Sequence, residues 1–478
     1  MTDNKDLLVE IGTEELPPKA LKRLMEAFSN GIVEGLAKAD LEHGAVKHYA
    51  TPRRLAVLVH ELTETQPDRA VERRGPALTA SFDEEGRPTK AAEGFARSCG
   101  VSVDELVKME SDKGTWLVYR SVQQGVAAEE LIPGIVQEAL DRLPIPKRMR
   151  WGDLASEFVR PVHWVVLLLG DAVVDAEILS VFSGRETRGH RFHHPERLYL
   201  AEPSAYAPLL ETEGKVIADF ADRREAIRAQ VLEAAAKQGG RGVIDDDLLD
   251  EVTGLVEWPV AVVGNFDPRF LEIPSEALVS AMKGHQKYFH IVDGEGRLMP
   301  HFVTVSNIES REPALVREGN ERVILPRLSD ADFFWNQDRK RKLEERQADL
   351  DQVVFQQKLG SLGDKSRRVE SLAVAVADEI DGDPKLAAEA ARLSKCDLMT
   401  EMVGEFPELQ GIMGRYYAAQ NGHVDEVAQA LDEQYMPRFA GATLPATSTG
   451  QAVQIADRPA ALVGRSGIGR PPSGRQDP

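Results

Sequence analysis

Cysteine is nearly absent from this chain, which has two, Cys99 and Cys396, among 478 residues. Such a pair cannot build a disulfide framework or a cysteine-rich zinc site, so the core must be apolar and the cytoplasm is the expected compartment. Long hydrophobic runs are missing as well. The longest, Trp164 to Gly170 (WVVLLLG), is far short of the roughly 18 residues that suggest a membrane span. The opening MTDNKDLLVEIGTEELPP has no basic region followed by an apolar stretch, so no signal peptide is expected. Positive charge is outweighed: the formal net charge is −20, and long-range repulsion opposes nonspecific coating of nucleic acid.

The usual catalytic signatures are lacking too. There is no HExxH, zinc-finger or serine-elbow pattern. The stretch from Gly360 to Ser366 (GSLGDKS) has too short a glycine-to-lysine spacing for a phosphate loop, and no hydrophobic strand leads into it. Gly467-Ile-Gly469 lacks a third glycine and runs into Arg-Pro-Pro, so it cannot open a dinucleotide-binding helix.

What is present is an ordinary globular composition, 42% hydrophobic and 28% charged, long enough for several domains. The first two thirds read as mixed α/β. Leu7 to Ile11 and Leu55 to Val59 are strands, and a helix begins after Thr13 with prolines in its first turn and continues through Leu21, Leu24, Met25, Phe28 and Ile32. Residues 66–100, rich in Pro and Gly, read as a loop-rich excursion. Val162 to Leu169 and Ala172 to Ser180 flank Gly170-Asp171, a two-residue hairpin turn. Asp222 to Lys237 reads as helix, Trp258 to Gly264 as strand, Ser275 to Gly284 as helix, and Lys287 to Val292 with His301 to Ser306 as a hairpin. From Leu328 the pattern is helical: Leu328 to Val354, Lys365 to Ile380, Lys385 to Val403, Glu408 to Gln420 and Val424 to Tyr435. The fold class expected is a multidomain α+β protein whose last third is all-helical, with regions 1–145, 146–325 and 326–478.

Three basic patches interrupt the acidic chain: Lys147, Arg148 and Arg150 before Trp151; Arg185, Arg188 and Arg191 among His190, His193 and His194; and Arg339 to Lys342. A fourth segment, Lys283 to Phe289, sets Lys283, His285, Gln286 and Lys287 beside Tyr288 and Phe289. Cations that pair with phosphate next to rings that stack on unpaired bases suit RNA. The competing reading is a solvated face, or for Lys283 to Phe289 a buried strand end with a snorkelling lysine. In the helical third, Cys396 and Asp397 are expected mid-helix, with Glu401 and Glu405 one and two turns on and Asp457 on a later helix. That order is similar to the HD phosphohydrolase scaffold, but Cys396 stands at the place of its histidine, and no histidine occurs between His301 and His423. Carboxylates alone leave out the imidazole ligands of a transition metal.

Longer motifs carry a resemblance. LLVEIGTEELP (Leu7 to Pro17), YATPRRL (Tyr49 to Leu55), KRMRWG (Lys147 to Gly152), HQKYF (His285 to Phe289), GNERV (Gly319 to Val323), LSDADFF (Leu328 to Phe334), KLGSL (Lys358 to Leu362) and the long block Lys395 to Tyr417 run in order along the chain. Together they closely resemble the β subunit of bacterial tetrameric glycyl-tRNA synthetase. The resemblance implies an α2β2 ligase in which the α subunit activates glycine with ATP and magnesium. The β chain then binds no cofactor itself, has no catalytic residue of its own, and handles tRNA(Gly). It also implies a middle region similar to the phenylalanyl-tRNA synthetase β-subunit domain and a degenerate HD-like domain with Cys396, Asp397 and Asp457 at the remnant positions and no metal. Candidate tRNA contacts are Lys147, Arg148, Arg150, Trp151, Arg188, Arg191, Lys283, His285, Gln286, Lys287 and Tyr288. Family chains continue further, so this sequence is expected to be C-terminally truncated, without the anticodon-binding domain. Pro459 makes a final helix suspect, because proline inside a helix costs about 3 kcal/mol or more. The alternatives are a metal-dependent HD-type phosphohydrolase using Asp397 and Asp457, and a truncated assembly module without activity.

Overall fold

The computed structural model describes residues 4–83, 85–111 and 114–469, and these divide into two compact units. The first takes Met1–Ile227, Leu249–Val260 and Asn307–Glu309. Its frame is a seven-stranded sheet ordered Val46–Thr51, Arg54–Leu62, Lys5–Thr13, Val162–Leu169, Val181–Gly184 and Glu177–Ile178, with Ala172–Val173 paired to Val162–Leu169. The central strands are buried on both faces, which is why they read as continuous apolar runs rather than alternating ones. Leu7, Val9, Ile11, Leu55, Val57, Val59, Val165 and Leu167 point to one core, against the helices Pro18–Lys38 and Ala128–Asp141. Leu8, Ala56, Leu58, Trp164, Val166 and Leu168 point to the other, against Leu198, Tyr206 and Leu210. The alternation is the two-residue period of a strand.

Gly12 is required where the two central strands pair, because a Cβ there would collide with the Trp164 indole. Gly35 serves the helix pair in the same way, admitting Ile135 against the helix backbone. The region expected to be a loop-rich excursion is instead a small folded layer. Arg69–Ala77, Gly114–Gln123 and Val107–Ser111 form a three-stranded sheet, covered by the helix Lys90–Cys99 over Ala92, Ala96, Leu106 and Leu117. Gly75 and Pro76 fall where the register shifts between Arg74 and Ala77, so they mark an irregularity in a strand and not its absence. The expected strand Ala172 to Ser180 is present only as Ala172–Val173 and Glu177–Ile178, while Gly170 takes the left-handed conformation, φ 59°, that its turn requires.

The second unit takes Arg228–Leu248, Ala261–Ser306 and Ser310–Pro478. A four-stranded sheet ordered Arg241–Gly242, Phe289–Val292, Leu298–Ser306 and Val260–Asn265 precedes a helical array. Its helices are Pro313–Asp338, Leu362–Glu379, Pro384–Leu393, Glu401–Glu405, Ile412–Gln420, Asp425–Glu433 and Ser448–Gly467. Several expectations change here. The helix expected over Leu328 to Val354 ends at Asp338, and a short strand pair, Val354–Gln356 with Gly360–Ser361, interrupts the helical run. The last helix runs through Pro459, with Thr449, Gly450, Ala452, Val453 and Ala456 buried in its first half, while Pro459 itself is exposed. Packing of that first half against neighbouring helices offsets the local cost of the proline. No helix among the described residues is long and apolar enough to cross a membrane.

Candidate nucleic-acid interface

The helix Ser275–Ser280 passes into a π-helical turn, Ala281–Gln286, which ends at Lys287 with φ 60°. That conformation stops the helix and delays the following strand to Phe289. The turn holds Lys283, His285, Gln286 and Lys287 at its rim, and single π turns inside helices often mark functional sites. Lys283 pairs with Asp245, and Lys287 Nζ donates to the Gly284 carbonyl at 2.8 Å. His285 is exposed, with its ring edge-on to Phe406 at 6.2 Å, and Gln286 is half-buried.

Tyr288 is a correction. Its ring lies buried and stacked on Phe302 at 4.4 Å, and its hydroxyl donates to Asn320 Oδ1 at 2.7 Å. Burial pushes the phenol up to about 12. Tyr288 therefore offers no face to a base, and Phe289 beside it is core. The turn also borders a cleft of about 580 Å³, where Glu276, Lys283 and His290 meet Glu408, Leu409 and Ile412 of the long C-terminal motif.

The second basic patch is partly spent on its own fold. Lys147 is exposed, whereas Arg148 donates to the Leu140 and Asp141 carbonyls at 3.3 and 2.8 Å, capping the C-terminal end of the helix Ala128–Asp141. Arg150 pairs with Glu157 at 2.8 Å, and Trp151 is half-buried against the first core. Arg191 pairs with Glu14 at 2.9 Å and Glu15 at 3.7 Å. Burial alone would raise the Glu14 carboxyl, but Arg191 prevails and holds it low.

Arg188 is different. Among the described residues it has no carboxylate partner, and its guanidinium lies 5.4 Å from the centre of the Trp164 ring. Arg188 lines a cleft of about 560 Å³ with His163, Trp164, Phe182, Arg185, Arg197 and Tyr199. Phe182 and Tyr199 are 79% and 63% exposed there. Sequence reasoning missed Phe182, Arg197 and Tyr199, because nothing in VFSG or RLY distinguishes an outward ring from an inward one.

Two charged networks lie inside the protein. In the first unit, Glu10 Oε1 accepts from Arg54 at 3.2 Å, Thr187 at 2.9 Å and Tyr206 at 2.9 Å, while Glu10 Oε2 accepts from Trp164 Nε1 at 3.0 Å. Arg54 also pairs with Glu257 at 3.2 Å, and Thr51 donates to the same carboxylate at 2.6 Å. Burial would raise the Glu257 carboxyl, but Arg54 and Thr51 hold it below its usual range. Glu10 of LLVEIG and Arg54 of ATPRRL are thus walled in and clamp the sheet.

The second network joins the positions compared above with an HD site. Asp397 is not mid-helix: the preceding helix ends at Leu393, and Cys396–Met399 form a 3-10 turn. Asp397 Oδ2 accepts from the Gly411 and Gly414 amides at 2.5 and 3.3 Å, yet burial pushes the carboxyl up to about 6. Asp457 meets Lys365 Nζ at 2.9 Å and Lys395 Nζ at 3.7 Å. Lys395 donates to Gln434 at 2.7 Å, and burial brings its ammonium down to about 8 despite Asp457. Cys396 is buried, its thiol pushed up to about 12. Glu405 faces Arg327 at 3.7 Å and Glu401 is exposed. Among the described residues no group of three or more His, Cys, Asp or Glu could hold a metal ion.

Comparison with known proteins accounts for the motifs. Residues 7–478 match the family model of the glycyl-tRNA synthetase beta subunit. The chain belongs to that family. It is 57% identical over 475 residues to the glycine–tRNA ligase beta subunit of Marinobacter nauticus, covering 99% of this chain and 68% of that one. The subunit of Hahella chejuensis is also 57% identical, over 477 residues and 69% of its length. That of Pectobacterium atrosepticum is 50% identical over 478 residues. In this member of the glycyl-tRNA synthetase β-subunit family, the motif residues Glu10, Thr51 and Arg54 meet in one buried network, and Lys395 and Asp397 share another with Asp457.

Proposed function

We propose that this chain is the tRNA-handling subunit of a glycine–tRNA ligase, acting with a catalytic α subunit in an α2β2 assembly. The observation that carries the reading is the family match across residues 7–478, at 57% identity to glycine–tRNA ligase beta subunits. In this reading ATP and magnesium belong to the α subunit, the chain binds no cofactor of its own, and charging takes place in the cytoplasm. Lys147, Arg150, Arg188, Arg191, Lys283, His285, Gln286 and Lys287 supply candidate contacts to tRNA(Gly), chiefly to phosphate, which positions an RNA without reading its sequence. Arg148 and Trp151 act mainly by holding the Lys147 segment in place, given their contacts with the fold.

The same reading divides the chain into an N-terminal α/β region, a middle region like the phenylalanyl-tRNA synthetase β-subunit domain, and a degenerate HD-like helical region. A metal-dependent phosphohydrolase is disfavoured, because two ammoniums stand where cation charge would be needed beside Asp457. The test is reconstitution: titrate purified α subunit with this chain and measure glycyl-tRNA formation together with binding of tRNA(Gly). Charging well above that of α alone is expected. No gain in charging together with no binding of tRNA overturns the reading.

A further inference from the structure

We propose that the cleft between the strand Val181–Gly184 and the strand Arg197–Tyr199 binds unpaired nucleotides of RNA, with bases on Phe182 and Tyr199 and a phosphate on Arg188. This rests on the reading of the chain as a tRNA-handling subunit and assigns it a specific surface. Three observations carry it. Phe182 and Tyr199 are large rings, 79% and 63% exposed, lining one opening of about 560 Å³. Rings that face solvent across a cleft are stacking platforms for bases, which all present a π face.

Cations line the cleft: Arg185, Arg188 and Arg197. The Arg188 guanidinium lies 5.4 Å from the centre of the Trp164 ring, which lines the cleft with it. Arg188 has no carboxylate partner among the described residues of a chain with net charge −20. An unpaired guanidinium beside exposed rings is suited to a phosphate between two bases.

The neighbouring charges are otherwise answered. Arg197 is paired with Glu186 at 2.7 Å, and Arg185 bridges the Asp171 carbonyl at 2.6 Å and the Tyr199 hydroxyl at 3.1 Å, which holds the ring in place. Asp175 is the lining carboxylate without such a partner, so it opposes a nearby phosphate.

The experiment measures binding of the full chain to tRNA(Gly), to the same tRNA trimmed of its unpaired 3′ nucleotides, and to a short single-stranded RNA. Phe182→Ala with Tyr199→Ala is expected to weaken intact tRNA by about tenfold to a hundredfold. Phe182→Tyr retains binding, which separates stacking from misfolding. Arg188→Gln lowers the salt slope of log K by roughly 0.7. If the trimmed tRNA is insensitive to the alanine pair, the 3′ end is the occupant; if it stays sensitive, a loop is. Unchanged binding of intact tRNA and single-stranded RNA by the alanine pair overturns the cleft but leaves the subunit reading intact. Loss of α-subunit association on gel filtration with RNA binding unchanged also overturns it, in favour of a protein partner. Failure of the unaltered chain to bind tRNA, while it binds single-stranded RNA through the two rings, defeats the subunit reading and supports the cleft.

Discussion

At the scale of single residues, burial decides what a charge can do. Arg54 lies fully buried between Glu10 and Glu257, so its removal strands two carboxylates in the interior. Arg54→Met is expected to destabilise the first unit by about 3–5 kcal/mol in urea unfolding, and a loss under about 1 kcal/mol would show the network to be dispensable. Asp397 behaves in the opposite sense. With its carboxyl raised from 3.8 to about 6, the folded chain holds a proton that the unfolded chain releases between these values. Its contribution to stability therefore falls as pH rises through that window, by roughly 3 kcal/mol at most, at about 1.36 kcal/mol per unit. Asp397→Asn keeps an oxygen for the Gly411 and Gly414 amides and removes the titration. Relative to the unaltered chain the variant gains stability as pH rises from 3.8 through about 6, and a difference independent of pH refutes the raised carboxyl. Neither effect was legible in sequence, where Glu10 and Asp397 are merely carboxylates beside apolar residues.

At the scale of elements, periodicity was readable in the strands and helices around the first unit's large core. The strands at Leu7 and Leu55 and the helix through Leu21 and Phe28 form as their spacing predicts. The three-stranded layer was not readable, since Arg69–Ala77 finds its partner only in Gly114–Gln123 and covers a small core. Helix Ser448–Gly467 also overrode its local signal. Its first half packs on the helices Leu362–Glu379 and Asp425–Glu433, so tertiary contact holds a helix that contains Pro459. Pro459→Ala restores the missing amide donor at an exposed site and is expected to stabilise the chain by about 1–3 kcal/mol, seen as a higher midpoint on thermal unfolding. Gly12→Ala has the reverse outcome. The added Cβ meets the Trp164 indole between two central strands, and a loss of about 1–3 kcal/mol in the same measurement is expected. A neutral result would mean that the strand pair can shift apart.

At the scale of the whole molecule, the proposed handling of RNA by an acidic chain must run through local cations. Binding of tRNA(Gly) is therefore expected to weaken steeply with salt, and a flat dependence in filter binding from 50 to 200 mM salt would rule out phosphate as the main contact. Sequence by itself determined the family, because the order and spacing of eight motifs survive without any knowledge of contacts. It also determined most of the larger strands and helices, since two-residue and 3.6-residue periods are local properties of the chain. Only the tertiary structure decided which charged and aromatic residues remain available. Tyr288 went into the core, Lys283 onto Asp245 and Asp457 onto Lys365 and Lys395, while Phe182, Tyr199 and Arg188 gathered at one opening. The physical reason is that solvation and Coulomb pairing depend on neighbours in space. Glu10, Arg54 and Glu257 become neighbours only once the sheet has closed around them.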